Sequence, residues 1–224
     1  MNSLWNDEEA ARCGPSPLDL RVYTSRLLGR DPSLVLHGGG NTSVKTTVAD
    51  VFGDRHEVLY VKGSGWDLAT IEAAGFAPVR LEPLRRMADL EALSDTEMVR
   101  WQRAAMLDPA APTPSVEAIL HAIIPDPFVD HTHADAVVAV SNTPDGERRV
   151  RSIYGDGVLI VPYVMPGFVL ARRVRELTRT LDWNRCRGLI LMHHGVFSFG
   201  PDAKTSYQRM IELVSLSSSG FSTS

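Results

Sequence analysis

The chain has 224 residues, of which 44% are apolar and 22% are charged, and its formal net charge at pH 7 is -4. This length allows one large domain or two small ones, and the lack of an interior linker or repeat favours a single domain. The sequence shows neither a basic stripe with interleaved aromatic residues nor a run of about 18 apolar residues, so we expect no nucleic-acid partner and no membrane partner.

The start of the chain is predicted to be an extension, residues 1–20, ahead of a domain that covers residues 21–216. Its first residues, "MNSLWNDEEA", are acidic and lack the apolar region of a secretion signal. The two cysteines, Cys13 and Cys186, are too few for a disulfide framework and lack the spacing of a metal site. We therefore expect a cytoplasmic protein.

Alternating apolar residues predict two strands, within residues 33–48 and 57–65, separated by the polar turn "ADVFGDRH". Glycines interrupt both patterns, in "HGGGNTS" and in "KGSG", and the second glycine loop precedes a helix predicted to begin near Trp66 or Asp67. Exposed amides in such loops and at a helix start attract anions, although either loop alone is more often a tight turn. Two such loops in one chain indicate a phosphorylated ligand.

Two helices are predicted on either side of a proline-rich break. The first, "SDTEMVRWQRAAML", has a capping box formed by Ser94 and Glu97. The second, "SVEAILHAII", begins with Ser115 as its N-cap and places Glu117 in its first turn. Glu117 is either an acid stabilised by the helix dipole or a functional carboxylate. His121, four residues later on the same face, could pair with Glu117 but is interpreted as a packing residue.

The second half of the chain alternates between predicted strands and helices. Strands are predicted in "FVDHTH", in "GVLIVPYV" and, as a pair that meets at His194 and Gly195, in "GLILMHHGVFSFG". Helices are predicted in "ADAVVAVSN", "PGFVLARRVRELTRTL" and "DAKTSYQRMIELVSL", followed by a tail, residues 217–224, that we expect to be disordered. This mixture predicts an α/β or α+β sandwich, with a β-sheet between layers of helices.

Two pairs of histidines lie at predicted strand ends. His131 and His133 are two residues apart, so on a strand they face the same side and can bind one metal ion. An isolated pair of this kind is equally consistent with two buried, hydrogen-bonded histidines. His193 and His194 are adjacent, so at most one can join the first pair, and alternation does not decide which. A third histidine would complete the three-ligand pattern of catalytic zinc.

Five motifs, "GGGNTS", "KGSG", "PSVE", "HTH" and "HHG", occur in this order. Together they resemble the class II aldolase/adducin family from about Arg21 to about Val214. Within the family the chain is most similar to the rhamnulose-1-phosphate aldolase-like domain of bifunctional aldolase/dehydrogenase proteins, through "LYVKGSGWDLATI", "DHTHADA", "SNTPDGE" and "VPYVMPGF". Those proteins continue into a dehydrogenase domain, whose activity is not implied for this chain. The resemblance implies a single α/β three-layer sandwich with a mixed central β-sheet flanked by helices.

The resemblance also implies roles for individual residues. His131, His133 and His194 correspond to the family's metal ligands, and zinc is the expected ion. Glu117 corresponds to the catalytic acid/base. The residues implied to hold the substrate phosphate are Gly40, Asn41, Ser64, Gly65 and Ser115. Val116 stands where fuculose-phosphate aldolases have a second serine, which removes one hydroxyl from that site.

The implied reaction is zinc-dependent cleavage of a ketose 1-phosphate into dihydroxyacetone phosphate and a short aldehyde through an enediolate. Related sugar-phosphate epimerases, dehydratases and decarboxylases share the scaffold and are alternatives. A non-catalytic adducin-like interaction module is a further alternative, which the retention of three histidines and Glu117 disfavours. We therefore predict a metal-dependent enzyme that acts on a sugar phosphate, as a homotetramer with sites between subunits, as is typical of the family.

Overall fold

The structure, a computed structural model, describes residues 1–220. Its strands are β1 (Asn41–Ala49), β2 (Arg55–Lys62), β3 (Phe76–Arg80), β4 (Phe128–Thr132), β5 (Val158–Val161), β6 (Gly188–Leu191) and β7 (Gly195–Gly200). Its α-helices are α1 (Asp7–Arg12), α2 (Pro17–Gly29), α3 (Leu81–Ala88), α4 (Asp95–Ala104), α5 (Ala118–Ile123), α6 (Asp135–Ser141), α7 (Gly146–Tyr154), α8 (Phe168–Thr178) and α9 (Ala203–Gly220). No helix within this range is long and apolar enough to cross a membrane.

The strands form one mixed sheet in the order β3-β2-β1-β4-β7-β6-β5. Neighbouring strands are antiparallel except β5 and β6, which are parallel. β1 and β4 are paired with Asn41 opposite His131, and β7 flanks β4 on the other side with Phe197 opposite His131. The centre of the sheet therefore carries residues predicted for the functional site.

Helices cover both faces of the sheet because the strands alternate between two apolar sides. In β2, Leu59 and Val61 belong to one core and Tyr60 packs against the other. Residues of α3, α4, α5 and α8 fill the first core, and residues of α2, α6, α7 and α9 fill the second. The predicted α/β three-layer sandwich is confirmed.

A buried ion pair ties β4 to the second helical layer. Arg21 in α2 and Asp130 in β4 are fully buried, with Nη2 and Oδ1 2.5 Å apart. Ser206 in α9 donates a further hydrogen bond to Asp130. Two buried charges are costly unless they are paired and hydrogen-bonded, so these contacts fix α2 and α9 against the central strand.

The first predicted strand is shorter than its apolar pattern suggests. Residues 33–40 form two turns with irregular backbone after each, and β1 begins at Asn41. Gly40 has a φ of +62°, and a Cβ there would lie 2.8 Å from the carbonyl oxygen of His131. The chain therefore needs a glycine where it enters the sheet, and the strand prediction for residues 33–40 is wrong because the positive φ of Gly40 does not fit an extended strand.

Other differences concern elements with weak sequence patterns. The sequence patterns predict none of α1, α2, α3, α7 and β3; β3 contains Pro78, which disfavours a strand. The predicted extension, residues 1–20, contains α1 and the first turn of α2. The predicted disordered tail overlaps α9, which continues to Gly220, and residues 221–224 lie outside the described residues.

Candidate metal centre

His131 lies on β4 at the centre of the candidate site and is fully buried. Its ring stacks on Phe197 of β7, with centroids 4.2 Å apart. Nδ1 lies 3.1 Å from the carbonyl oxygen of Val196, and because a carbonyl can only accept, Nδ1 carries the proton. Nε2 therefore presents its lone pair to the site, as the imidazole of a metal ligand does.

Two further histidines complete a cluster with His131. His133 follows the end of β4, and His194 ends the turn between β6 and β7. The ring centroids lie 4.9 to 5.1 Å apart, and one nitrogen of each ring lies within 4.8 Å of those of the other two. The three histidines predicted as metal ligands thus form one group, which is a candidate divalent-metal site.

His193 points away from this cluster. Its side chain is exposed, its φ is +60°, and its Nδ1 lies 2.8 Å from Oδ1 of Asn142. The prediction that at most one of the adjacent histidines joins the pair is confirmed. The geometric reason differs from strand alternation, because residues 192–194 form a turn.

Gly195 allows the cluster to pack closely. A Cβ at this position would lie 2.3 Å from the carbonyl oxygen of Thr132 and 3.1 Å from Cε1 of His131. It would also lie 3.3 Å from Cδ2 of His133. The glycine that follows His194 is therefore needed for the close approach of β7 to the histidines.

Burial keeps the three imidazoles neutral. Desolvation is the largest cause that lowers the pKa of each, well below 6.5 for His131 and to about 4 for His194, and the pKa of His133 is lowered as well. Neutral imidazole is the form that binds a metal ion, so the cluster does not have to lose protons at neutral pH.

The unsatisfied atoms of the site fit a divalent ion. Nε2 of His131 and Oε2 of Glu117 lie 3.4 Å apart. The imidazole is neutral and carries its proton on Nδ1, so this contact is not an ion pair. It brings two hydrogen-bond acceptors together. Nδ1 of His194 and Oε1 of Glu117 are also buried, without a hydrogen-bond partner among the described residues. Buried polar atoms without partners are costly, and a cation shared by imidazole and carboxylate donors would satisfy the acceptors.

Glu117 stands beside the cluster as the N-cap residue of α5, with Oε1 3.7 Å from Nε2 of His194. Nδ2 of Asn41 donates a 2.6 Å hydrogen bond to Oε2.

The prediction that Ser115 is the N-cap of α5 is wrong. Its hydroxyl accepts from the backbone N–H of Glu117 at 3.2 Å in a separate turn, and the helix begins at Ala118.

A cleft of about 390 Å³ opens onto this site. Residues predicted for the site contribute much of its lining: Gly40, Asn41, Ser64, Gly65, Ser115, Glu117, His133 and His194.

The helix predicted near Trp66 or Asp67 is not formed, because Oδ1 of Asp67 accepts a hydrogen bond from the N–H of Ala69 in a turn. The amides at the second glycine loop therefore belong to a loop rather than to a helix start.

Two further residues of the site were not predicted to take part in it. Lys62 is buried, lines the cleft and donates from Nζ to the carbonyl oxygen of Gly38 at 2.8 Å, which joins the two glycine loops. Desolvation lowers the pKa of this lysine. His121, interpreted as a packing residue, is hydrogen-bonded to Asn41 and Ser43. Two features of the sequence could have indicated them. Lys62 stands directly before the second glycine loop, and His121 lies one helical turn after Glu117.

A mixed sheet between two helical layers, with three histidines and a carboxylate at its centre, defines an α/β domain with a candidate divalent-metal site. Residues 20–218 match the family of the class II aldolase and adducin N-terminal domain, and the chain belongs to that family. The resemblance found in the motifs is therefore confirmed at the level of the family.

Individual relatives agree with this assignment. A Bacillus subtilis protein named uncharacterized oxidoreductase YuxG is 39% identical over 215 residues, which are 96% of this chain and 31% of that protein. The chain thus spans about a third of the length of this curated relative. The N-terminal class II aldolase domain of a conserved protein from Thermoplasma acidophilum is also 39% identical, with a TM-score of 0.89 and 99% of both chains covered. L-fuculose-1-phosphate aldolase from Thermus thermophilus shares the fold, with a TM-score of 0.59 and 17% identity over 92% of this chain and 93% of its own.

Proposed function

We propose that this domain is a zinc-dependent lyase that cleaves a ketose 1-phosphate, similar to rhamnulose 1-phosphate, into dihydroxyacetone phosphate and a short aldehyde. The observation that carries the proposal is the position of Glu117. Its Oε1 has no hydrogen-bond partner among the described residues and lies 3.7 Å from Nε2 of His194. A metal-binding cluster and a carboxylate that can move a proton thus meet at the cleft, as metal-dependent cleavage next to a carbonyl requires.

His131, His133 and His194 would hold the metal ion, and Glu117 adds a carboxylate beside them. Three imidazoles and a carboxylate suit zinc, and manganese, iron or cobalt accept the same donors. When bound, such an ion supplies a Lewis acid that stabilises the negative charge developing on the hydroxyketone oxygens of the substrate.

Glu117 would transfer the proton. Its two oxygens have different surroundings: Oε2 accepts from Nδ2 of Asn41 at 2.6 Å, whereas Oε1 is without a hydrogen-bond partner. The bound oxygen keeps the carboxylate in one orientation. The unbound oxygen can then accept the hydroxyl proton of the carbon that becomes the aldehyde and deliver it to the carbon that loses its bond to that fragment.

The substrate phosphate would bind at the two glycine loops. The proposed ligands all line the cleft: Gly40, Asn41, Ser64, Gly65 and Ser115. Oγ of Ser115 accepts hydrogen bonds from the backbone N–H of Glu117 and from Nδ2 of Asn41, each at 3.2 Å. The hydroxyl proton of Ser115 therefore remains available for an anion. Lys62 is the one cationic side chain among the described residues that line the cleft. Val116, in the place of a second serine, contributes no hydroxyl.

We also propose a cytoplasmic homotetramer with sites between subunits. Three apolar side chains at the cleft or close to it in sequence are exposed: Val116 by 43%, Met165 by 68% and Val169 by 61%. Pro166, which follows Met165, lines the cleft. Apolar surface beside a site supports an oligomer that covers it. Light scattering on the purified chain tests this, and a monomer at all concentrations would reject it.

A coupled assay tests the reaction. The zinc-loaded chain is incubated with rhamnulose, fuculose and ribulose phosphates, release of dihydroxyacetone phosphate is followed, and metal content is measured on the same sample. We expect release from at least one ketose 1-phosphate and stoichiometric metal. An epimerised, dehydrated or decarboxylated product would favour the related reactions of this scaffold. A chain that retains no zinc after loading and forms no product would support an adducin-like interaction module.

A further inference from the structure

Four polar side chains form a continuous series of hydrogen bonds that ends at Glu117, and all are buried. Oγ of Ser43 lies 2.7 Å from Nδ1 of His121, and Nε2 of His121 contacts Oδ1 of Asn41. Nδ2 of Asn41 then donates to Oε2 of Glu117 at 2.6 Å. The series connects β1 to α5 and reaches the carboxylate that is proposed to move the proton.

One arrangement of protons satisfies the three hydrogen bonds of the series when Glu117 is ionised. An ionised carboxylate only accepts, so Asn41 must present its NH₂ group to Glu117 and its oxygen to His121. The amide oxygen also only accepts, so His121 must carry its proton on Nε2. Nδ1 is then an acceptor, and the hydroxyl of Ser43 donates to it.

We infer that His121 is a positioning residue: it fixes the orientation of the Asn41 amide and thereby holds Oε2 of Glu117 in place. The inference rests on the proposed function of Glu117. Without the N–H donor of His121, the Asn41 amide can flip and turn its oxygen towards the carboxylate. Repulsion between the two acceptors would then displace Glu117, and a small displacement of a reacting group is enough to slow a reaction strongly.

Two substitutions separate positioning from packing, since the ring of His121 also packs on Phe197 with centroids 5.4 Å apart. His121→Gln retains an N–H donor near the place of Nε2, whereas His121→Met fills the space without a donor. We expect His121→Met to lower kcat about 10- to 100-fold, with little change in KM or zinc content. His121→Gln should retain most of kcat. Equal losses in both variants, or full kcat in folded His121→Met, would contradict the inference.

A second measurement needs no turnover. Nitrogen-15 NMR of the histidine side chains in the metal-free chain distinguishes the two neutral tautomers of His121, whose signal is identified by its loss in His121→Gln. We expect the proton on Nε2. A proton on Nδ1 would overturn the inference even in an active enzyme, because Asn41 would then turn its oxygen towards Glu117. A proton on Nε2 in a chain that cleaves no sugar phosphate would support the positioning and reject only the proposed reaction. The measurement also decides the matter if His121→Met does not fold.

Discussion

Asn41 and His131 lie directly opposite each other in the antiparallel pair formed by β1 and β4. Their side chains share one face of the sheet, where Asn41 donates to Oε2 of Glu117 and Nε2 of His131 lies 3.4 Å from the same oxygen. Asn41 and Glu117 are 76 residues apart in sequence. The candidate site therefore exists only once the central strands have paired.

Glu117→Gln should lower kcat by about 10²- to 10⁴-fold, the range found when a general acid or base is lost. Glutamine has nearly the same shape but does not transfer protons, so KM and zinc content should change little. Steady-state kinetics together with metal analysis measures both effects. Turnover equal to that of the wild type would remove Glu117 from the proposed role.

His133→Ala should release the metal, because only two imidazoles of the cluster remain. The adjacent His193→Ala is the matched control, since this side chain is exposed and contacts Asn142. Metal analysis after gel filtration compares the two variants. Full zinc occupancy in His133→Ala would show that His133 is not a ligand.

Gly195→Ala should destabilise the chain and weaken metal binding, because the new Cβ would lie 2.3 Å from the carbonyl oxygen of Thr132. We expect the free energy of unfolding to fall by about 1 to 3 kcal/mol, the usual cost of overpacking. Gly157→Ala is the control, since a Cβ there meets nothing within 4 Å. Urea unfolding of both variants tests the difference, and similar losses would argue against the steric explanation.

Arg21→Met should be among the most destabilising substitutions outside the site. It leaves Asp130 buried without its counter-charge, which typically costs about 3 to 5 kcal/mol. Arg151→Met, at an exposed ion pair with Glu147, should change the free energy of unfolding by less than about 1 kcal/mol. Chemical denaturation of both variants measures the contrast. A small loss in Arg21→Met would mean that water or Ser206 compensates the carboxylate.

His121 should make the metal-free chain less stable at acid pH. Burial is the largest cause that lowers its pKa well below 6.5, whereas the unfolded chain binds the proton at the usual pKa. This contribution to stability is complete above pH 6.5, and below it the free energy of unfolding falls by up to about 1.4 kcal/mol per pH unit. Denaturant unfolding between about pH 7.5 and 5 should therefore show a steeper fall for the wild type than for His121→Gln. An equal fall with pH in the wild type and in His121→Gln would show that His121 does not cause the loss of stability.

The histidine cluster could be predicted from the sequence because its signals are local. The spacing of His131 and His133 and the position of His194 before a glycine are visible in short motifs, and the order of the motifs indicated the family. Short apolar patterns also predicted β4, the pair β6 and β7, and most of α9.

The partners of these residues could not be predicted, because they depend on which strands become neighbours. Asn41 follows three glycines and reads as part of an anion loop, and no local pattern shows that the pairing of β1 with β4 directs its side-chain amide at Glu117. The ion pair of Arg21 with Asp130 joins a helix and a strand 109 residues apart and has no local signal. Near Asp67 the local pattern was misleading, because this side chain caps a turn instead of starting a helix.

β4 places two chemically different residues on opposite faces of the sheet. Asp130 meets Arg21 on one face, and His131 joins the other histidines on the opposite face. If the register of β4 shifted by one residue, Asp130 would take the place of His131 beside Phe197. Arg21 would then be buried without a counter-charge. The ion pair therefore favours the same strand alignment that the histidine cluster needs. The correct alignment is thus favoured by contacts that lie outside the candidate metal site.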